Sequence, residues 1–296
     1  MEFVKLDNGV LMPVIGFGTY KATDFYGQQV LEEALACGYR SFDTATLYRN
    51  EGALGHAIAA SGFPRTSLFL SSKVPQNDLG YDQAKYYFDQ TLSALQTDYL
   101  DLYMIHWPME DRSSLSWQQK DLETWRALEE LYDQGSVRAI GVCNFLPHHL
   151  MNLFSSANEK PMVNQIEFHP GYTQQYLVNF CRQHGILLEA WSPIGRGKMH
   201  QIPVLQQMAK KYGKTVAQLC IRFAIQTGLV PLPKSSHPQR MRENLNVFDF
   251  TISEEDMSRL STLPQCGWSG KHADFTRWAP ELQSSAGDHP SLLDAL

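Results

Sequence analysis

Eightfold alternation constrains this chain more than any other feature. Short apolar runs at Ile15 to Gly18, Arg40 to Asp43, Leu68 to Lys73, Leu100 to His106, Val137 to Cys143, Met162 to Ile166, Leu187 to Trp191 and Val230 to Leu232 are separated by longer stretches of helical period. Among the latter are GQQVLEEALACG, EGALGHAIAASG, YDQAKYYFDQTLSAL, LETWRALEELYDQG, QQYLVNFCRQHG and VAQLCIRFAIQTG, several closing on the glycine that favours a helix C-terminus. The apolar runs do not alternate with polar residues, so both faces of each strand are covered, as in a parallel sheet flanked by helices. Eight such units predict an α/β fold, a single (β/α)8 TIM barrel, which closes without an exposed edge. An open doubly wound sheet would need a glycine-rich first turn, and GFGTY at Gly16 to Tyr20 lacks the GxGxxG spacing.

At the N-terminus, Asp7-Asn8-Gly9 between two apolar runs predicts a β-hairpin ahead of the barrel. No Pro-, Gly- or Ser-rich linker divides the chain, so one domain is expected over residues 1–296. From Pro264 the pattern becomes irregular. Trp268, Phe275 and Trp278 in this tail either line a pocket at the barrel mouth or pack flat against the barrel.

Charge and cysteine usage exclude several classes. A formal net charge of −6 with no basic stripe argues against a nucleic-acid surface, where phosphates would have to be neutralised. Five scattered cysteines, Cys37, Cys143, Cys181, Cys220 and Cys266, include no CxxC and indicate neither a disulfide framework nor a zinc knuckle. MEFVKLDNG does not follow the signal-peptide pattern, and no apolar run is long enough to span a bilayer. A soluble cytoplasmic monomer without membrane or nucleic-acid partners is the expectation.

In an eight-stranded barrel the functional residues gather at the C-terminal ends of strands. The second, third and fourth runs end on Asp43, Lys73 and His106, and Tyr48 follows in the loop after the second. Each has a bland reading taken alone: a capping aspartate, a snorkelling lysine, a core histidine, a packing tyrosine. Together at one mouth they have a charge logic. A free phenol titrates near ~10, too high for efficient proton transfer at neutral pH, and a neighbouring ammonium lowers that value. Lys73 supplies the ammonium, Asp43 keeps it charged, and His106 orients the substrate oxygen. After the eighth run, PLPKSSHPQRMREN sets Lys234, Ser235 and Arg240 around a helix start. That arrangement suits a phosphate, although a basic capped helix has the same pattern.

The chain also resembles the aldo-keto reductases. GFGTY, FDTATLYRNE, LFLSSKVP, DLYMIHWP, GSVRAIGVCNF, VNQIEFHP, WSPIG and LPKSSHPQRMRENL follow that family's order and spacing along most of the chain. Within the family, the short loops resemble bacterial reductases of the diketogluconate and small-aldehyde kind. The resemblance implies reversible hydride transfer between NADPH/NADP+ and an aldehyde or ketone, without a metal. It assigns Asp43, Tyr48, Lys73 and His106 to the catalytic tetrad. Lys234, Ser235 and Arg240 then take the 2′-phosphate, Glu243 and Asn244 the adenine, Asn144 and Gln165 the carboxamide, and Trp191 the nicotinamide face. Thr19, Asp43, Cys143, Ser192, Ile194 and Ser236 complete the cofactor set, and Tyr20, Tyr48, His106 and Trp107 face the small carbonyl substrate. Three positions depart from the common pattern: Cys143 replaces a serine, Trp191 stands where many members have tyrosine, and Tyr20 stands where many vertebrate members have tryptophan. The short GRGKMHQ loop, Gly195 to Gln201, leaves little chain to fold over the pyrophosphate.

Two other classes compete. One is a regulatory protein that keeps the barrel and binds NADPH as a redox sensor with incidental turnover. The other is a metal-dependent barrel hydrolase or isomerase, for which His106 with Glu167 or His169 is a sparse ligand set.

Overall fold

The computed structural model describes residues 2–108 and 117–274. Its first element is the expected hairpin, in which β1 (Phe3–Lys5) pairs antiparallel with β2 (Leu11–Pro13) around a left-handed Gly9. Asn8, at the hairpin tip, donates through Nδ2 to the Arg138 carbonyl at 2.9 Å. Since Arg138 leads into a barrel strand, the hairpin sits at the end of the barrel where the strands begin.

Eight parallel strands follow: β3 (Phe17–Gly18), β4 (Ser41–Asp43), β5 (Phe69–Val74), β6 (Leu102–Ile105), β7 (Ile140–Cys143), β8 (Val163–Glu167), β9 (Leu187–Trp191) and β10 (Leu229–Leu232). Each pairs with its sequence neighbour, Gly18 lying beside Asp43 and Asp43 beside Ser71. The Gly16 and Gly18 amides donate to the carbonyls of Pro231 and Pro233 at 3.1 and 3.2 Å, which brings the first strand against the last and closes the barrel. At Gly18 the seam meets backbone, and at Gly16 it meets the end of a side chain. A Cβ on Gly18 would lie 2.9 Å from the Leu232 carbonyl oxygen, and one on Gly16 would lie 2.7 Å from a Leu232 methyl.

Helices α1 (Gln29–Cys37), α2 (Glu51–Ser61), α3 (Tyr81–Leu95), α4 (Trp117–Asp133), α5 (Pro147–Phe154) and α6 (Gln175–Gln183) cover successive strands. Beyond them come α7 (Pro203–Lys211), α8 (Val216–Gln226), α9 (Pro238–Leu245) and α10 (Glu254–Ser261). Gly38 ends α1 in the left-handed region, its N–H returning to the carbonyls of Ala34 and Leu35. A reciprocal capping box between Thr215 and Gln218 starts α8. Between strands and helices, buried residues such as Phe17, Tyr39, Phe42, Trp125 and Phe223 form the core. Each fully buried large apolar side chain of this kind contributes about 1.5–3 kcal/mol by leaving water.

Strands β6 and β7 start later than their apolar runs suggest, at Leu102 and Ile140. Leu100 and Val137 form an isolated bridge, and the continuous ladder between the two strands begins at Tyr103 and Ile140. Between them the buried Asp101 carboxylate accepts from Arg65 at 2.8 Å, Arg138 at 2.7 Å and the Leu70 amide at 2.9 Å. Of the aromatic tail, Trp268 stacks on Tyr172 at 6.1 Å, while Phe275 and Trp278 lie outside the described residues. Among the described residues no helix is long and apolar enough to cross a membrane.

Candidate active site

Asp43 ends β4, Lys73 lies one residue from the end of β5 and His106 follows β6, so all three reach the same mouth. The Lys73 ammonium is fully buried and donates to Asp43 Oδ1 at 2.6 Å and to the Thr44 carbonyl at 2.7 Å. Burial works against its charge, but Asp43 and Tyr48 outweigh it, and the lysine pKa lies above its ordinary value. Lys73 is therefore a fixed cation beneath the site.

Tyr48 sits on a short 3-10 turn after β4, with Lys73 Nζ 5.2 Å from the centre of its ring. Its ring packs edge-on to His106 at 5.5 Å and tilted against Tyr20 at 5.1 Å. Charge logic read from sequence led to the expectation of a phenol pKa below that of free tyrosine. Instead burial raises it, and the downward pull of Lys73 is smaller than the cost of putting a phenolate in a dry environment. Burial, with help from Lys73 and Lys271, lowers the His106 pKa well below its usual range, so the imidazole is neutral at physiological pH. His106 Nδ1 is buried and has no hydrogen-bond partner among the described residues.

These residues form one end of a cavity of about 940 Å³ that runs along the mouth towards α9. Tyr20, Tyr48, His106, Trp107, Asn144, Gln165, Trp191, Ser192 and Ile194 line the first part, and Lys234, Ser235, Ser236, Arg240, Glu243 and Asn244 the far part. Lys234 and Arg240 are exposed to the cavity and pair with no carboxylate among the described residues. At the near end Asn144 donates to the His106 carbonyl at 3.1 Å and accepts from the Trp191 indole at 2.8 Å, which holds both side chains against the cavity wall. Gln165 donates from Nε2 to Asp43 Oδ1 and to Glu189 Oε2, each at 2.8 Å.

Four non-glycine residues on the cavity wall, Lys21, Asn144, Ser192 and Arg196, adopt left-handed backbone conformations. Such geometry costs roughly 1–3 kcal/mol per residue and persists where the surroundings enforce it, commonly at binding sites. A dinucleotide phosphate fits this donor set: unpaired cations and hydroxyls at one end, and amide groups beside an indole face at the other.

The sequence reading placed two residues differently. Thr19 does not line the cavity, because its hydroxyl donates to Asn50 Oδ1 at 3.4 Å and its carbonyl accepts from Asn50 Nδ2 at 2.8 Å. Cys143 points into the barrel, its thiol donating to Met104 Sδ at 3.6 Å, so the serine-to-cysteine departure bears on packing under the site. Lys73, expected as the ammonium that acts on Tyr48, lies beneath the cavity wall with Nζ 5.2 Å from the centre of that ring. Conversely, Lys21, Gln76, Arg196 and Lys271 line the cavity without having been singled out. Glu189, buried beneath it, was also missed. A lone carboxylate inside the apolar run LLEAW was its available signal.

One His/Asp group among the described residues converges closely enough to suggest a metal: His148, His149 and Asp274. Its donors are poorly suited. His149 Nδ1 accepts from the Leu146 amide, so Nε2 carries the hydrogen and faces Asp274 Oδ1 at 3.5 Å.

Residues 14–264 match the model of the aldo/keto reductase family. Glyoxal reductase of Bacillus subtilis strain 168 is 47% identical over 265 residues, spanning 88% of this chain and 92% of that protein. An aldo-keto reductase from a Medee basin deep-sea metagenome library superposes with a TM-score of 0.86 at 37% identity, over 94% of this chain and all of the other. A Bombyx mori aldo-keto reductase solved in complex with NADP gives a TM-score of 0.80 at 32% identity, over 88% of this chain and 92% of that one.

Proposed function

The chain belongs to the aldo/keto reductase family of carbonyl oxidoreductases, and from that membership we propose that it reduces aldehydes or ketones to alcohols with NADPH, Tyr48 delivering the proton. The observation that carries this reading is the buried Lys73–Asp43 pair beneath Tyr48, set in a cavity whose far wall presents unpaired Lys234 and Arg240. Lys234, Ser235, Ser236 and Arg240 would hold the 2′-phosphate, Glu243 and Asn244 the adenine, Asn144 and Gln165 the carboxamide, and Trp191 the nicotinamide face. When bound, NADPH supplies the hydride.

This chain's residues manage the proton. With its pKa raised by burial, Tyr48 keeps its hydrogen in the resting site and yields it to a much stronger base, the alkoxide that develops as a carbonyl is reduced. Lys73, held charged by Asp43, stabilises the phenolate left behind. Neutral His106 offers an N–H to the carbonyl oxygen without competing as an acid. Tyr20 and Trp107 give apolar walls around that one polar point, which suits small aldehydes, α-dicarbonyls and keto sugars.

The test is NADPH consumption in the presence of a chelator against a panel of those three substrate classes, with NADH in parallel. Steady, chelator-insensitive turnover favouring NADPH is expected. Tight NADPH binding with no carbonyl consuming it would replace this reading with that of a cofactor-binding regulator.

A further inference from the structure

Beneath the cavity floor lies a carboxyl that the reaction as described does not use. Glu189 is fully buried on β9, two residues before Trp191, and its Oε1 has no hydrogen-bond partner among the described residues. Its Oε2 accepts from Gln165 Nε2 at 2.8 Å, and the same nitrogen donates to Asp43 Oδ1 at 2.8 Å. Asp43 Oδ1 already accepts from the Lys73 ammonium, so the Gln165 atom facing it has to be the amide nitrogen; a carbonyl oxygen there would face an acceptor. Each of the two amide hydrogens is thereby spoken for, and the Gln165 carbonyl oxygen is the atom left for the cavity.

One acceptor alone would fix one hydrogen and leave the amide plane free to turn about that bond. Two acceptors on one nitrogen fix the plane. Asp43 is already held by Lys73, so the second acceptor is what completes the constraint. A buried carboxyl with an unmet oxygen is costly to keep, and its retention under a binding cavity calls for a reason of this kind.

We propose that Glu189 is a positioning residue that locks the Gln165 amide with its carbonyl oxygen towards the cavity, as the acceptor for a carboxamide N–H of bound nicotinamide. The proposal rests on the NADPH reading above. Glu189 touches neither cofactor nor substrate in this scheme and acts only through Gln165.

The test separates the nicotinamide half of the cofactor from the rest. In Glu189→Met, NADPH is expected to bind about tenfold more weakly, while 2′-phospho-ADP-ribose, which lacks nicotinamide, keeps its affinity within about twofold. Glu189→Gln retains an acceptor oxygen and is expected to restore NADPH affinity. Equal weakening of both ligands in Glu189→Met, or no change in either, overturns the proposal. A second measurement needs no variant: in the ligand-free wild type, NMR should find both Gln165 side-chain N–H protons protected from solvent exchange, and rapid exchange of either overturns the geometry. Failure of the wild type to bind NADPH sinks the cofactor reading and this proposal together; wild-type binding with an unaffected Glu189→Met sinks this proposal alone.

Discussion

A phenol above its solution pKa is a poor acid until something strongly basic arrives, which makes Tyr48 selective about when it gives up its proton. Tyr48→Phe should cut turnover by about 10²–10⁴-fold, the usual worth of a positioned general acid. NADPH affinity, followed by quenching of tryptophan fluorescence, should stay unchanged, because only the hydroxyl is lost. Glu189 makes a prediction about stability. Burial, reinforced by Asp43, pushes its carboxyl up to about 8, so the folded chain holds a proton that the unfolded chain releases near its ordinary ~4.3. Between those values stability falls as pH rises, by up to about 1.4 kcal/mol per unit. Urea melts of wild type and Glu189→Gln at about pH 5 and about pH 8 should show that part of the slope vanish in the variant. At this scale Asp43, Lys73, Tyr48 and His106 were legible because strand ends in a barrel share one mouth. Thr19 and Cys143 were misplaced because position along the chain does not say which neighbour a side chain turns to: Asn50 claims one and Met104 the other.

Among the elements, the eight strands and their order were legible from alternation. The glycines of the closing seam were not, because a glycine in an apolar run reads equally as a turn or a bulge. Helices α5 and α7, each with proline at its start, were not among the stretches read as helical. Gly18 has an ordinary backbone conformation, so its requirement is steric. Gly18→Ala should therefore destabilise by about 1–3 kcal/mol through overpacking against the Leu232 carbonyl, measured as a lower urea midpoint with an unchanged slope. An unchanged midpoint would mean that the seam yields without cost.

For the molecule as a whole, net charge concealed the character of the site. The chain carries −6, yet among the described residues the cavity is lined by Lys21, Arg196, Lys234, Arg240 and Lys271 against only Asp43 and Glu243. Excess acid lies elsewhere, and composition cannot report that separation. The cationic far wall predicts that Arg240→Ala weakens NADPH by about 10–100-fold, the loss of one charge-assisted hydrogen bond, while NADH changes little. Fluorescence titrations of both cofactors check this, and equal losses would remove the phosphate assignment. The seam between Gly16–Gly18 and Pro231–Pro233 has a further consequence for the nascent chain. Its partners are separated by about two hundred residues, so on the ribosome the first strand has no closing neighbour until nearly all of the polypeptide has emerged. Through that interval the growing sheet carries an open edge, the state in which such chains are most prone to stick to one another, and the cell's chaperones would meet this protein before any cofactor could.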